Sequence, residues 1–412
     1  MNNAKRRMGL IFGVVVMLIA TRASAEDWPQ WRGPNRDAKV TGFTAPKMWP
    51  KELTQKWKVT VGEGVATPAL VGDKLYVFAR QGANEVLRCL KADSGNDIWK
   101  EEYEAAPVKG PAARFPGPRS SPAVADGKVV TLGVQGSLIC RDAASGKKVW
   151  QKDDFKGSLP MFFTSSSPII VDGLCIVQLG GEGKGGIVAY DLASGDEKWK
   201  WTGDGTAYSS PVLFTVPSGK ALVAETAKKI VVINIADAKL LWETPFPKGK
   251  GRSYNASTPM VDGQTVIYSG SGGRGTKAVQ VEKEGDMLVA KERWSNPDNG
   301  CQFNTPVVKN ALVFGISEGD VLFCINAETG KTAWTNPIKG RQGGYGSIVD
   351  AGSVLFALTP SGQLLVFEPS DKEYKELASY KLASGDTYAY PVIAGNRIYI
   401  KDKEAVTLWT LD

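Results

Sequence analysis

The sequence predicts an all-β fold: an eight-bladed β-propeller with four-stranded antiparallel blades, closed by an N-terminal strand. Three observations carry this. A phrase returns along the chain with a period of roughly 40–50 residues, the spacing of propeller repeats. Each copy holds a Pro-led apolar strand, a D-G or G-D turn, a second apolar strand, and a turn whose Gly precedes a Trp by four residues. Clear copies are Cys140–Trp150, Tyr190–Trp199 and Cys324–Trp334. Finally, the strand openings and closings do not balance within the repeats, so the two chain ends must complete one blade together.

Taken in order, Lys5, Arg6 and Arg7 precede an apolar run from Met8 to Ala20 and the small residues Ala23-Ser24-Ala25. That is the pattern of a secretory signal, with cleavage expected after Ala25. The apolar run is short for a membrane span. Residues 26–56 form an N-terminal arm. The propeller covers 57–412. Its innermost strands open at Pro68, Pro122, Pro168, Pro211, Pro259, Pro306, Ser347 and Pro391. Its outermost strands carry Trp99, Trp150, Trp199, Trp242, Trp294, Trp334 and Tyr380. The missing outer strand is expected around Trp57, which would join the blade at 391–412 and remove an exposed pair of edges.

The repeat columns have structural readings. Asp142, Asp191, Asn234 and Asn326 suit Asx turns, and the following Gly supplies a positive φ. The Trp column reads as packing between blades. Cys89, Cys140 and Cys324 share one column, a blade apart, so they read as small buried hydrophobes rather than disulfide partners. Blade 5 departs from the pattern at Ser269–Lys277 and at Val281–Asp286, and a Pro- and Gly-rich excursion at 105–119 follows blade 1.

Composition removes several activities. The chain has no histidine, which excludes Ser-His and Cys-His catalysis, His-ligated metals and axial-His haem. Removing Lys5, Arg6, Arg7 and Arg22 from the formal +7 leaves +3, too little to suggest a nucleic-acid partner. The glycines of Gly180–Gly186 lie between strands and lack the helix N-terminus of a phosphate loop. Glu182, Glu225 and Glu318 are isolated carboxylates and read as solvated.

Short polar and aromatic clusters precede the innermost strands, and such loops converge on one mouth of the channel. The expected ligand-binding residues are Arg114, Arg119, Tyr208, Tyr254, Asn304, Tyr345 and Tyr388, with Arg274 nearby. Arg offers fixed donors for an anionic or carbonyl group, and Tyr a flat face with a polar tip. Individual Ser and Thr hydroxyls in these clusters are read as backbone partners at the strand starts. No catalytic residue and no metal ligand is assigned.

The Asp-x-x-Ser/Thr-Gly-x-x-x-Trp turn resembles the tryptophan-docking motif of the quinoprotein dehydrogenase superfamily, the propellers named for pyrroloquinoline quinone (PQQ). The likeness covers most of 57–412. The opening Asp27-Trp-Pro-Gln-Trp-Arg-Gly-Pro-Asn-Arg36 is similar to the start of many secreted PQQ-like repeat proteins. The compact eight-blade form looks more like the non-enzymatic branch that includes the outer-membrane assembly factor BamB. Dehydrogenases of the superfamily carry an adjacent Cys pair and a Ca²⁺ site of Glu, Asn and Asp with a carboxylate base; this chain has neither an adjacent Cys pair nor a stretch matching that site. The BamB-like lipoprotein Cys is also absent. The resemblance implies an exported, periplasmic or secreted, non-catalytic scaffold of the cell envelope with no cofactor, holding a protein partner or a small or extended ligand at one face. Its alternatives are a PQQ- and Ca²⁺-dependent oxidoreductase of alcohols or sugars and a carbohydrate-binding propeller. No nucleic acid and no transmembrane anchor are expected.

Overall fold

Apolar runs too short for helices, punctuated by positive-φ glycines, leave the backbone only one way to satisfy its polar groups: pairing with the next strand. The result, in a computed structural model, is eight four-stranded antiparallel sheets arranged as a propeller. The structure describes residues 27–412 except 156, 182, 218, 286 and 341; the expected signal at 1–25 lies outside them. Blades 1 to 7 occupy residues 69–104, 123–152, 169–201, 212–245, 260–296, 307–337 and 347–381. Blade 8 takes its three inner strands from 392–410 and its outermost strand from Thr54–Thr60, which pairs antiparallel with Ala405–Thr410. The expected closure at Trp57 is therefore observed.

Burial follows from stacking of the blades. Second and third strands are covered on both faces, so they read as largely apolar runs such as Ile230–Ile233, all buried. Outermost strands alternate: in Asp97–Glu104 only every second residue is partly covered, and Trp99 is one of these.

That Trp is the joint between blades. The indole N–H of Trp57 donates to the carbonyl of Ala92, Trp99 to Ala143, Trp150 to Leu192, Trp199 to Ile235, Trp294 to Ala327 and Trp334 to Ser370, at 2.7–3.2 Å. Each acceptor lies in the following blade. The rings of Trp57, Trp99, Trp150 and Trp294 also lie over the turn Gly of that blade, whereas blade 4 has Ala238 there and blade 7 has no Gly. A methyl built on Gly146 would sit 2.7 Å from Trp99, and one on Gly195 2.7 Å from Trp150. The turn Gly thus meets two demands, a positive φ and the absence of a side chain under an indole. Trp242 makes no such bond among the described residues. Its neighbour, blade 5, replaces the turn with a long hairpin of Gly275–Glu284 and Met287–Asn296. All five cysteines are buried and free.

The N-terminal arm, given no packing role by sequence reasoning, lies across the inner strands. Trp28 and Leu70 exchange backbone bonds, Val124 N–H donates to Pro29, and Val40 N–H donates to Asp350, whose own N–H donates to Ala38. Blades 1, 2 and 7 hold the arm's backbone in this way. At the chain-end closure, the Lys401 amine is buried against the carbonyls of Gly62, Gly64, Asp402 and Lys403 at 2.6–3.2 Å. Burial pushes it down to about 8.

Gly146→Ala separates the two demands on the turn glycine from each other. Gly127 also has a positive φ but open space around it. Gly127→Ala should cost about 1–2 kcal/mol of backbone strain alone. Gly146→Ala should cost about 2–4 kcal/mol because strain and displacement of Trp99 combine. Denaturant unfolding of both variants checks this; equal losses would show that the indole contact contributes nothing.

Candidate functional site at the channel mouth

The loop into every innermost strand but that of blade 7 ends in a hydroxyl residue followed by Pro. These hydroxyls form a relay around the channel. Tyr390 N–H donates to Thr67 Oγ1, Thr67 to Ser121, Ser121 to Ser167, Ser167 to Ser210, Ser210 to Thr258 and Thr258 to Thr305, at 2.9–3.0 Å. They do serve backbone, but the backbone of the neighbouring blade. The relay stops at blade 7, where Gly346 has no hydroxyl to offer.

The arm closes the channel at this level. Arg32 places all five guanidinium donors on neutral acceptors: the carbonyls of Arg36, Asp37, Thr305 and Pro306 and the Tyr390 hydroxyl, at 2.8–3.3 Å. Arg36 reaches across to Ser167 and Pro168. Both are buried, at 1% and 2% exposure, and among the described residues neither pairs with a carboxylate. Burial, then the charge of Arg32, pushes Arg36 down to about 9. Trp31 lies between the two guanidinium groups, 5.6 and 5.5 Å from its ring, and faces the mouth.

Above this floor is a cavity of about 420 Å³. The structure places Arg114, Arg119, Tyr208, Tyr254, Asn304, Tyr345 and Tyr388 around it. Arg274 does not line it; its guanidinium bonds Ser271, Asn255 and the carbonyl of Tyr254, fixing the loop behind the wall. Sequence reasoning missed Trp31, Phe115, Phe162 and Phe303, which complete an aromatic arc. Phe162 meets Tyr254 edge-on at 5.0 Å, Tyr254 stacks with Phe303 at 6.2 Å, and Phe303 stacks with Tyr345 at 4.2 Å. Tyr345 then meets Tyr388 at 4.8 Å and Tyr388 meets Phe115 at 5.1 Å. Phe115 and Phe303 stand in segments the sequence marked as irregular or mouth-forming, but their offset from the strand start varies, so no column betrays them.

The polar groups divide into those in use and those left over. Asn304 donates to Ile316 and Gly344, so its amide is a strut rather than a free donor. Asp320 accepts N–H bonds from Gln342, Gly343 and Gly344 and sets the loop that presents Tyr345. Tyr208 accepts from Phe162 N–H. Arg119 Nη2 donates to Ala112 and Phe115, while its Nη1 is buried without a partner. Burial lowers Arg119, opposed by Tyr345, Tyr208 and Glu85. Burial raises Tyr208 and Tyr388, and holds Tyr345 up at about 12, so these phenols stay protonated at neutral pH. No Asp or Glu lines the cavity among the described residues. Glu225, expected to be solvated, is instead 1% exposed and unbonded. Desolvation raises it well above the usual carboxylate range, which keeps it protonated. Glu318 meets the Gly272 N–H; Glu182 lies outside the described residues.

Arg32→Lys tests the floor. Lysine keeps the charge but offers three donors in place of a five-donor fork. A loss of about 2–4 kcal/mol is expected in denaturant unfolding, because buried acceptors lose their partners. Unchanged stability would show that the guanidinium does not tie the arm to the ring.

Comparison with known proteins bears on the whole ring. The chain is 26% identical over 299 residues to a quinohemoprotein alcohol dehydrogenase of Comamonas testosteroni, covering 68% of this chain but 39% of that enzyme. It thus spans less than half of that relative's length. It is 22% identical over 367 residues to outer membrane protein assembly factor BamB of Burkholderia pseudomallei (strain K96243), covering 85% of each. The crystal structure of BamB from Moraxella catarrhalis superposes with a TM-score of 0.63 at 15% identity, covering 87% of this chain and 97% of that one. The Comamonas testosteroni dehydrogenase structure gives 0.68 at 15%, covering 95% and 81%. The family model described as outer membrane protein assembly factor BamB matches residues 40–210 and 83–336, more than half of the chain. This protein belongs to that family of PQQ-like repeat propellers.

Proposed function

We propose that this protein is an exported, non-catalytic propeller that acts as a binding or assembly scaffold of the cell envelope and engages its ligand or partner at the channel mouth. One observation supports this above the rest. The cavity is lined by rings, hydroxyls and two arginines without a carboxylate among the described residues. Such a site can bind and orient, but it has no group poised to take a proton. The export pattern at 1–25 favours the envelope, and no described helix is long and apolar enough to cross a membrane.

The oxidoreductase reading requires PQQ with Ca²⁺ and a carboxylate base. The donor set does not fit. A hard cation takes oxygen ligands, typically carboxylates. The lining supplies one carboxamide, that of Asn304, whose oxygen already accepts from Ile316 N–H and whose nitrogen donates to the carbonyls of Ile316 and Gly344. Glu225 is dry and does not line the cavity, and Glu85 is held by the Tyr103 hydroxyl and Val134 N–H. For the carbohydrate reading, a sugar needs an open aromatic platform, whereas Phe303 and Tyr345 cover one another's faces.

Purified protein titrated with PQQ and Ca²⁺, with an alcohol or aldose and a redox dye, decides between these readings. No Ca²⁺-dependent saturable quenching of indole fluorescence and no dye reduction are expected. Saturable, Ca²⁺-dependent binding with dye reduction would overturn the proposal in favour of the enzyme.

A further inference from the structure

We propose that the mouth is a docking surface for an acidic segment of a partner protein, with one apolar or aromatic side chain of that segment seated in the cavity. The inference rests on the non-catalytic binding role given above and names its partner class. The cations extend beyond the cavity. The loop between blades 1 and 2 carries Lys109 and Arg114, and the loop between blades 4 and 5 carries Lys248, Lys250 and Arg252, all exposed. Among the described residues none of the five has a carboxylate partner. Both loops also line the cavity, through Arg119 and Tyr254.

Several carboxylates on the same face are engaged internally, Asp386 meets the Tyr388 hydroxyl, and Glu104 and Asp298 are exposed. Asp204 accepts from Gly205 and Lys228 N–H, Asp320 from the 342–344 backbone, Asp402 from Glu404 and Ala405, and Glu318 from Gly272. Residues 105–122 and 246–259 contain no Asp or Glu, so these two loops present positive charge outward, reinforced below by Arg32 and Arg36. A small anion confined to about 420 Å³ would leave the outlying lysines without a role. An extended acidic chain would use them and the cavity together. Because the arm closes the floor, the occupant cannot thread the disc; it lies across the mouth and inserts one group. Met161, 71% exposed beside Phe162, adds the polarizable apolar contact common at protein-binding surfaces.

The test selects random displayed peptides on the immobilised full chain. The recovered sequences are then titrated, fluorescently labelled, against the parent, K248E/K250E/R252E and K109E/R114E. Enrichment of acidic peptides with an aromatic or aliphatic residue is expected, with affinity falling about tenfold in each reversal variant, the scale of a few lost charge pairs. The substituted side chains are exposed, and an unchanged thermal midpoint confirms that the variants fold. Recovery of neutral or basic peptides, no recovery, or equal affinity for the variants overturns the proposal. So does binding to phosphatidylglycerol vesicles through the same residues with no acidic peptide enriched. If peptides fail while PQQ and Ca²⁺ remain without effect, the partner class falls and the non-catalytic reading stands. Dye reduction would remove both.

Discussion

A ring of blades exists only if the joints between blades repeat, and the contact of an outer-strand Trp with the next blade's turn is the joint that recurs most often. The indole must lie flat on the next blade's turn and still reach its carbonyl. At four joints the turn residue lacks a Cβ, as at Gly146 beneath Trp99 and Gly195 beneath Trp150, while Trp199 reaches Ile235 beside Ala238 and Trp334 reaches Ser370 in a turn without Gly. One indole hydrogen bond contributes about 1 kcal/mol net, but six of them, joined to ring burial, hold the outer radius in register. Blade 5 shows what changes when the turn is lost: Trp242 packs against its neighbours without the carbonyl bond, and the longer hairpin supplies the cover instead.

The inner radius is tied by a different chemistry. There the blades converge too closely for large side chains, and small hydroxyls bridge backbone to backbone. The arm then brings two unneutralised guanidinium groups into the centre. Burying charge is costly without full hydrogen bonding, and Arg32 meets that demand with all five donors. Three non-glycine arm residues also hold positive φ: Arg32, Arg36 and Ala38. Strain and buried charge at one place are compensated by the ring that surrounds them. The result is a pit with one opening, a positive floor and aromatic walls.

The architecture was legible because it repeats. Eight openings and the Trp57 complement place the closing strand without any long-range information, and the observed pairing of Trp57 with Leu408 agrees. Most of the tyrosines and arginines of the mouth could be named because polar and aromatic clusters stand just before the innermost strands of several blades. The arm was not legible in the same way. Arg32 and Arg36 bond acceptors 131 to 358 positions away, and no period marks such contacts. Glu225 was misread for a related reason: a lone carboxylate carries no sign of burial unless its partner is visible, and here its side chain has no hydrogen-bond partner. Phe162 and Phe303 escaped because rings at shifting offsets in loops show no column.

The proposed binding role rests on the residue chemistry at the mouth. Protonated phenols, the committed Asn304 amide and the partnerless Arg119 Nη1 offer a fixed surface to an acceptor, and no carboxylate lines it among the described residues. Everything in this view depends on the arm being an integral floor rather than a loose tail. Amide hydrogen exchange on the intact protein tests that most directly. The arm amides of Trp28, Ala38 and Val40 should exchange as slowly as those of Ser121, Ser167 and Ser210, through global unfolding alone. Arm amides that exchange orders of magnitude faster than the inner strands would contradict the account, leaving an open channel and no floor to the site.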